Sequence, residues 1–136
     1  MEEGDKAMPA KAKTAAKAKP GATSAARKAH HLKASPETVH WGFLDASLKP
    51  VLTVDPGDRV TIDCVTGNKE WSPPKGSGME LLAEMEEIYA KVARGTGAHI
   101  FTGPVHVRGA EVGDVLEVRI LDIEPRINWG FNVFRG

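Results

Sequence analysis

HIFTGPVHVRGAEVGDVLEVRILDI, residues 99–123, is the stretch from which the rest of the chain is read. A Gly-Pro step at 103–104 sets a turn, and the break G-A-E-V-G-D at 109–114 separates two strand-like runs. In the second run Leu116, Val118 and Ile120 fall on one side of a pleat, while Val115, Glu117, Arg119 and Leu121 fall on the other. Side chains alternate along a strand, so 115–123 is expected to be a strand with one buried face and one mixed face. Working outward, similar short apolar runs punctuated by Gly and Pro predict strands at 38–44, 51–54, 59–65 and 104–108. The expected fold is mainly β, an antiparallel β-sandwich-type domain with one surface helix.

Two steps share one layout of turn, Gly-Asp and alternating strand: Val54-Asp55-Pro56-Gly57-Asp58-Arg59-Val60-Thr61-Ile62 and Ala110-Glu111-Val112-Gly113-Asp114-Val115-Leu116-Glu117-Val118. Asp55-Pro56-Gly57-Asp58 suits a type II turn, because Pro presets φ at the second position and Gly accepts positive φ at the third. Asp58 and Asp114 are read as turn-stabilising side chains at two similar strand entries.

The helix is expected over 79–94. Leu81, Leu82, Met85, Ile88, Tyr89 and Val92 share a stripe at helical spacing, Ser77 offers an N-cap, and Gly95 and Gly97 end the run. Glu80 and Glu84 near the start and Lys91 and Arg94 near the end complement the helix dipole, and Glu87 with Lys91 makes a favourable four-residue pair. The loop 67–78 before it holds Pro73, Pro74 and three glycines.

Composition divides the 136 residues in two. Residues 1–29 hold no aromatic and no Val, Ile or Leu, so they cannot bury enough apolar surface to offset chain entropy and read as a disordered tail. The tail carries seven Lys/Arg against three Asp/Glu and residues 30–136 carry eleven against fifteen, so a zero net charge hides a basic arm on an acidic body. Dispersed A-K steps without aromatics fit a solvated tail better than a nucleic-acid arm. Glu2, Glu3 and Asp5 with no apolar h-region do not read as a targeting leader. No apolar run approaches the roughly 20 residues that span a bilayer. Cys64 is the single cysteine, which excludes an internal disulfide and suits a cytoplasmic location.

A chemistry can be sought in what remains. There is no G-x-S-x-G elbow, and Cys64 sits inside a strand pattern, which disfavours serine or cysteine nucleophiles. Imidazole and carboxylate groups are left as possible ligands of a metal, zinc by default: His40, Asp45, Asp63, His99, His106 and Glu111, with His30 and His31 beside the tail. Spacing alone singles out none of them.

T-V-H-W-G-F-L-D-A-S-L-K-P-V-L-T-V at 38–54, G-D-R-V-T-I-D-C at 57–64, T-G-P-V-H-V-R-G-A-E-V-G-D-V-L-E-V at 102–118 and N-W-G-F-N-V at 128–133 resemble, in order, the acetamidase/formamidase family. Val112 stands where members commonly carry proline. The resemblance implies hydrolysis of small linear amides such as formamide or acetamide with release of ammonia, and a chain that forms the N-terminal portion, an incomplete half, of a larger amidase fold. It implies His40, Asp63 and His99 as ligands of a divalent metal such as zinc, Glu111 as the proton-relaying catalytic carboxylate, and Thr102 and Gly103 as substrate contacts. It also implies a homo-oligomer. A catalytically incomplete β-domain that only binds or assembles stays open beside this reading.

Overall fold

Short extended runs are stable only where a neighbour satisfies their backbone, and three such pairs form here. The computed structural model describes residues 27–67 and 69–132. Its strands are β1 (Ala29–Leu32), β2 (Val39–Trp41), β3 (Leu52–Val54), β4 (Arg59–Ile62), β5 (Ile100–Thr102) and β6 (Val105–Val107). A 3₁₀ turn at Lys69–Trp71 and the helix α1 (Ala83–Lys91) lie between β4 and β5. β1 runs parallel to β4, β2 antiparallel to β5, and β3 parallel to β6, as three separate two-stranded ribbons.

The mainly-β expectation with one helix holds, and β2, β3, β4 and β6 fall inside expected runs. The antiparallel expectation holds for one ribbon of the three. The other two join segments far apart in sequence, which parallel strands can do because a long crossover brings them alongside. β1 and β5 are additions to the expected set. The bulk of the expected tail, 1–26, lies outside the described residues, but Ala29, which the composition placed in that tail, opens β1.

One expectation is overturned. Residues 115–123 form no strand: they are exposed throughout, and no backbone hydrogen bond joins 115–122 to another described segment. The alternating pattern is intact, but a strand needs a second strand beside it, and none of the described residues supplies one.

Helix α1 is shorter than its periodic stripe. Ser77 does not cap it; its hydroxyl oxygen accepts the Met79 N–H at 3.3 Å instead, and Leu82 stands at the N-cap. The segment ahead of it is drawn away by tertiary contacts, since Glu80 N–H donates to Asn128 Oδ1, Asn128 Nδ2 donates to Gly78 O, and Trp129 Nε1 donates to Glu80 O. At the other end Gly95 N–H donates to Trp41 O, pulling the chain out of helix after Val92. The expected Glu87–Lys91 pair forms.

The core is small. Leu32, Ala34, Trp41, Val54, Met85 and Ile88 are its buried apolar side chains, with Ile88 fully enclosed. Trp41 places its ring 5.6 Å from that of Tyr89 on α1, whose hydroxyl donates to Thr66 O, while the Arg94 guanidinium lies over the indole. Backbones cross beside β2 more closely than a side chain allows: a Cβ on Gly67 would stand 1.7 Å from Ala98 O, and one on Gly42 2.6 Å from Gly97 O. These glycines fix β2 against the segment entering β5, and the site is built on that ribbon.

Candidate functional site

Strand alternation sets the site. Trp41 of β2 turns into the core, so its neighbour His40 turns to the opposite face, where the antiparallel register places it across from Phe101 of β5. The two rings stack at 5.4 Å, and Phe43 approaches His40 at 5.5 Å. Past β5 the chain turns through Thr102, Gly103 and Pro104. Gly103, at φ 140°, is held by its N–H donating to Thr38 O at 2.9 Å, and Pro104 O accepts the Val51 N–H at 2.9 Å.

This ribbon and the 44–48 loop enclose an open pocket of about 480 Å³, lined by His40, Asp45, Leu48, Phe101, Thr102 and Gly103 among others. Its walls are mostly apolar and its polar groups few. Nδ1 of His40 is buried and has no hydrogen-bond partner. A buried ring nitrogen without a partner is costly, and His40 Nδ1 shares this state with Trp41 Nε1 and Ser72 Oγ. Asp45 Oδ1 accepts the Ser47 N–H at 2.8 Å, and hydrogen bonds from Ser47 hold the Asp45 carboxyl below its ordinary value. It is therefore an anion near neutral pH. The Thr102 hydroxyl donates to Asp63 O at 2.7 Å, which aims its oxygen lone pairs elsewhere.

The sequence-derived candidates divide accordingly. His40, Thr102 and Gly103 meet in the pocket. Asp63 stands behind it, touching Thr102 through its backbone carbonyl while its carboxylate lies 2.8 Å from His31 Nε2 and 3.7 Å from Arg126. His99 is exposed and lines a smaller neighbouring hollow of about 190 Å³, its ring 6.4 Å from that of Phe101. Glu111 lies outside both hollows, in the turn whose Asp114 carboxylate accepts its N–H. His106, on β6 opposite Thr53, is exposed. Among the described residues no three His, Cys, Asp or Glu are placed to hold a metal ion together, so His40, Asp63 and His99 do not close into a ligand set within them.

Asp45, one of six donors by sequence, turns out to be the pocket's carboxylate. Leu48 had no sequence signal beyond the block that contains it, and Phe101 lies just ahead of the block that begins at Thr102. The pairs His30–Asp58, at 2.9 Å, and His31–Asp63 follow from the parallel β1–β4 register and could not be read from spacing.

A concave, mostly apolar pocket with a few polar groups is the form of a small-molecule site, of the kind found in enzymes that act on small metabolites. The chain belongs to the acetamidase/formamidase family, whose model matches residues 27–135. It is 34% identical over 82 residues to a formamidase-type protein of Schizosaccharomyces pombe, covering 59% of this chain and 18% of that one. It is 34% identical over 73 residues to an acetamidase of Mycolicibacterium smegmatis, covering 54% and 16%. With a formamidase of Methylophilus methylotrophus it shares 29% identity over 87 residues, covering 62% and 19%. The chain thus spans less than a fifth of the length of these curated relatives. No solved structure matches it. Among the described residues no helix is long and apolar enough to cross a membrane.

Proposed function

We propose that this chain is the N-terminal portion of a hydrolase that cleaves the carbon–nitrogen bond of small linear amides, with the His40 pocket as its substrate site. The observation that supports the reading is the meeting of His40, Thr102 and Gly103 around a pocket large enough for formamide or acetamide. Amide hydrolysis needs a base for the attacking water and an acid for the departing nitrogen. A neutral His40 imidazole takes a proton from water as its oxygen bonds to the amide carbon, then returns it to the nitrogen as the carbon–nitrogen bond breaks, leaving a carboxylic acid and ammonia. Thr102 and Gly103 border the substrate, and Phe101 and Leu48 keep bulk water off the imidazole.

Zinc enters this proposal on the family resemblance alone. The described residues do not gather into a three-ligand set, so no step is assigned to a metal here; His40 and Asp45 are the donors that line the pocket.

The test is ammonia release from formamide and acetamide by the purified chain, with and without added zinc, beside NMR titration with acetamide. His40→Gln is expected to lower turnover by about 10²–10⁴, and acetamide is expected to shift His40 and Thr102 resonances in the wild type whether or not turnover is complete. Unchanged turnover in His40→Gln, or the absence of both turnover and acetamide shifts, would sink the reading.

A second reading, a domain that assembles without catalysing, is favoured by one observation: residues 115–123 are a strand sequence without a paired strand among the described residues.

A further inference from the structure

We propose that Asp45 sets the specificity of the His40 pocket: its carboxylate accepts a hydrogen bond from the amide N–H of the substrate, fixes which end of the amide meets the 44–48 loop, and repels the carboxylate product. This inference rests on the amidase reading and deepens it, by naming the residue that selects an amide with hydrogen on its nitrogen.

Asp45 is the one carboxylate among the described residues that line the pocket. An ionised carboxylate offers about four acceptor positions and no donor. The Ser47 N–H, 2.8 Å from Oδ1, and the Ser47 side chain take part of that capacity; they fix the carboxylate against its own loop and favour its charged form. The rest of its acceptor capacity is left for a ligand.

Thr102 and Gly103, on the same pocket, have already given hydrogens away. The Thr102 hydroxyl donates to Asp63 O at 2.7 Å, and the Gly103 N–H donates to Thr38 O at 2.9 Å. A ligand that brings donors of its own matches this set. An unsubstituted amide does so through its nitrogen, and a bond from N–H to an ionised acceptor is stronger than one between neutral groups. The reverse orientation would set the carbonyl oxygen against the carboxylate, acceptor against acceptor. An acid anion in the same place would add like charge to that mismatch, which is discrimination by repulsion.

The same charge acts on the products. Water and the amide give a carboxylic acid and ammonia, and at neutral pH the acid passes its proton to the ammonia, leaving a carboxylate and an ammonium ion. Asp45 repels the first of these and attracts the second, so the acid does not compete with fresh amide for the pocket.

The experiment is NMR titration of the full chain with acetamide, N,N-dimethylacetamide and acetate, following His40 and Thr102, with circular dichroism as a control for folding. The wild type is expected to bind acetamide about tenfold more tightly than N,N-dimethylacetamide, which has no N–H, because one hydrogen bond to an exposed carboxylate contributes about that factor. Acetate should cause no shift. Asp45→Ala should abolish the preference between the two amides, and Asp45→Asn, which keeps an acceptor for the Ser47 N–H but loses the charge, should admit acetate. Ser47→Ala disturbs the same turn and leaves the carboxylate, so it should keep both the preference and the exclusion; a purely structural role for Asp45 would make it behave like Asp45→Ala. An unchanged preference in Asp45→Ala, or acetate shifting the wild type as strongly as Asp45→Asn, overturns the assignment and leaves the amidase reading standing on His40→Gln. Absence of both turnover and acetamide shifts in the wild type sinks the amidase reading and this inference with it.

Discussion

The turns Asp55–Asp58 and Glu111–Asp114 are built alike, and the chain beyond them is not. In both, the last residue's N–H donates to the first residue's carbonyl at 3.1 Å, the first residue's N–H donates to the aspartate carboxylate at 3.0 Å, and the glycine has positive φ, 92° and 99°. Arg59–Ile62 then pairs with β1, whereas 115–123 pairs with nothing described. Arrival of β1 changes the first aspartate: Asp58 Oδ1 also accepts the Lys28 N–H at 2.9 Å and Oδ2 lies 2.9 Å from His30 Nε2, leaving the side chain 5% exposed. A turn and an alternating pattern are thus local properties, while a strand is a property of two segments.

The comparison can be broken most severely through the strands themselves. Leu32 on β1 is 5% exposed, and Leu32→Ala should cost about 2–4 kcal/mol by lost burial and a residual cavity. Leu116→Ala should stay within about 0.5 kcal/mol for the monomer; chemical denaturation of both variants decides. An equal cost at the two positions would mean that 116 is covered after all.

A smaller effect is expected at the aspartates. The Lys28 N–H, then His30 and the Asp55 N–H, hold the Asp58 carboxyl at about 2 against an ordinary 3.8. A carboxyl whose pKa falls on folding binds its proton less readily in the folded chain, so its contribution is full above 3.8 and is lost as pH falls through about 2. Asp58→Asn should therefore lower the melting temperature at neutral pH and flatten the acid limb of the stability curve, and Asp114→Asn should leave both in place. Melting curves over a pH series read this directly.

The smallest effect is expected at the glycines. Gly57→Ala forces a Cβ into positive φ at about 1–2 kcal/mol. In Gly113→Ala the following segment can relax without losing a described strand pair, so the loss should be smaller, and chemical denaturation of the two variants compares them.

What the sequence disclosed follows the same division. The Pro56-Gly57 turn, the Glu87–Lys91 pair and the burial of Met85 and Ile88 were legible, because each depends on residues within a few positions. His30 and His31 gave no sign of β1, since their partners Val60 and Thr61 are chosen by a parallel register that no local pattern encodes. The helix start at Ser77 lost to Asn128 and Trp129, again a distant choice. In the site, His40, Thr102 and Gly103 were legible from the blocks that resemble the family, and β2–β5 pairing brings them together. Asp63 and Glu111 come from the same blocks and His99 stands just ahead of one, but they sit on segments that the pocket does not gather, and Asp45 stood out in the sequence only as one of six possible donors.

The strand register has a consequence in time. Ala29 meets Arg59, His40 meets Phe101, and Leu52 meets Val105, partners 30, 61 and 53 residues apart. Each ribbon must close a long loop before any of its hydrogen bonds form, and chains dominated by such contacts fold in milliseconds to seconds instead of microseconds. The nascent chain therefore spends that interval with these strands unpaired, so encounters between chains compete with the closure of each one.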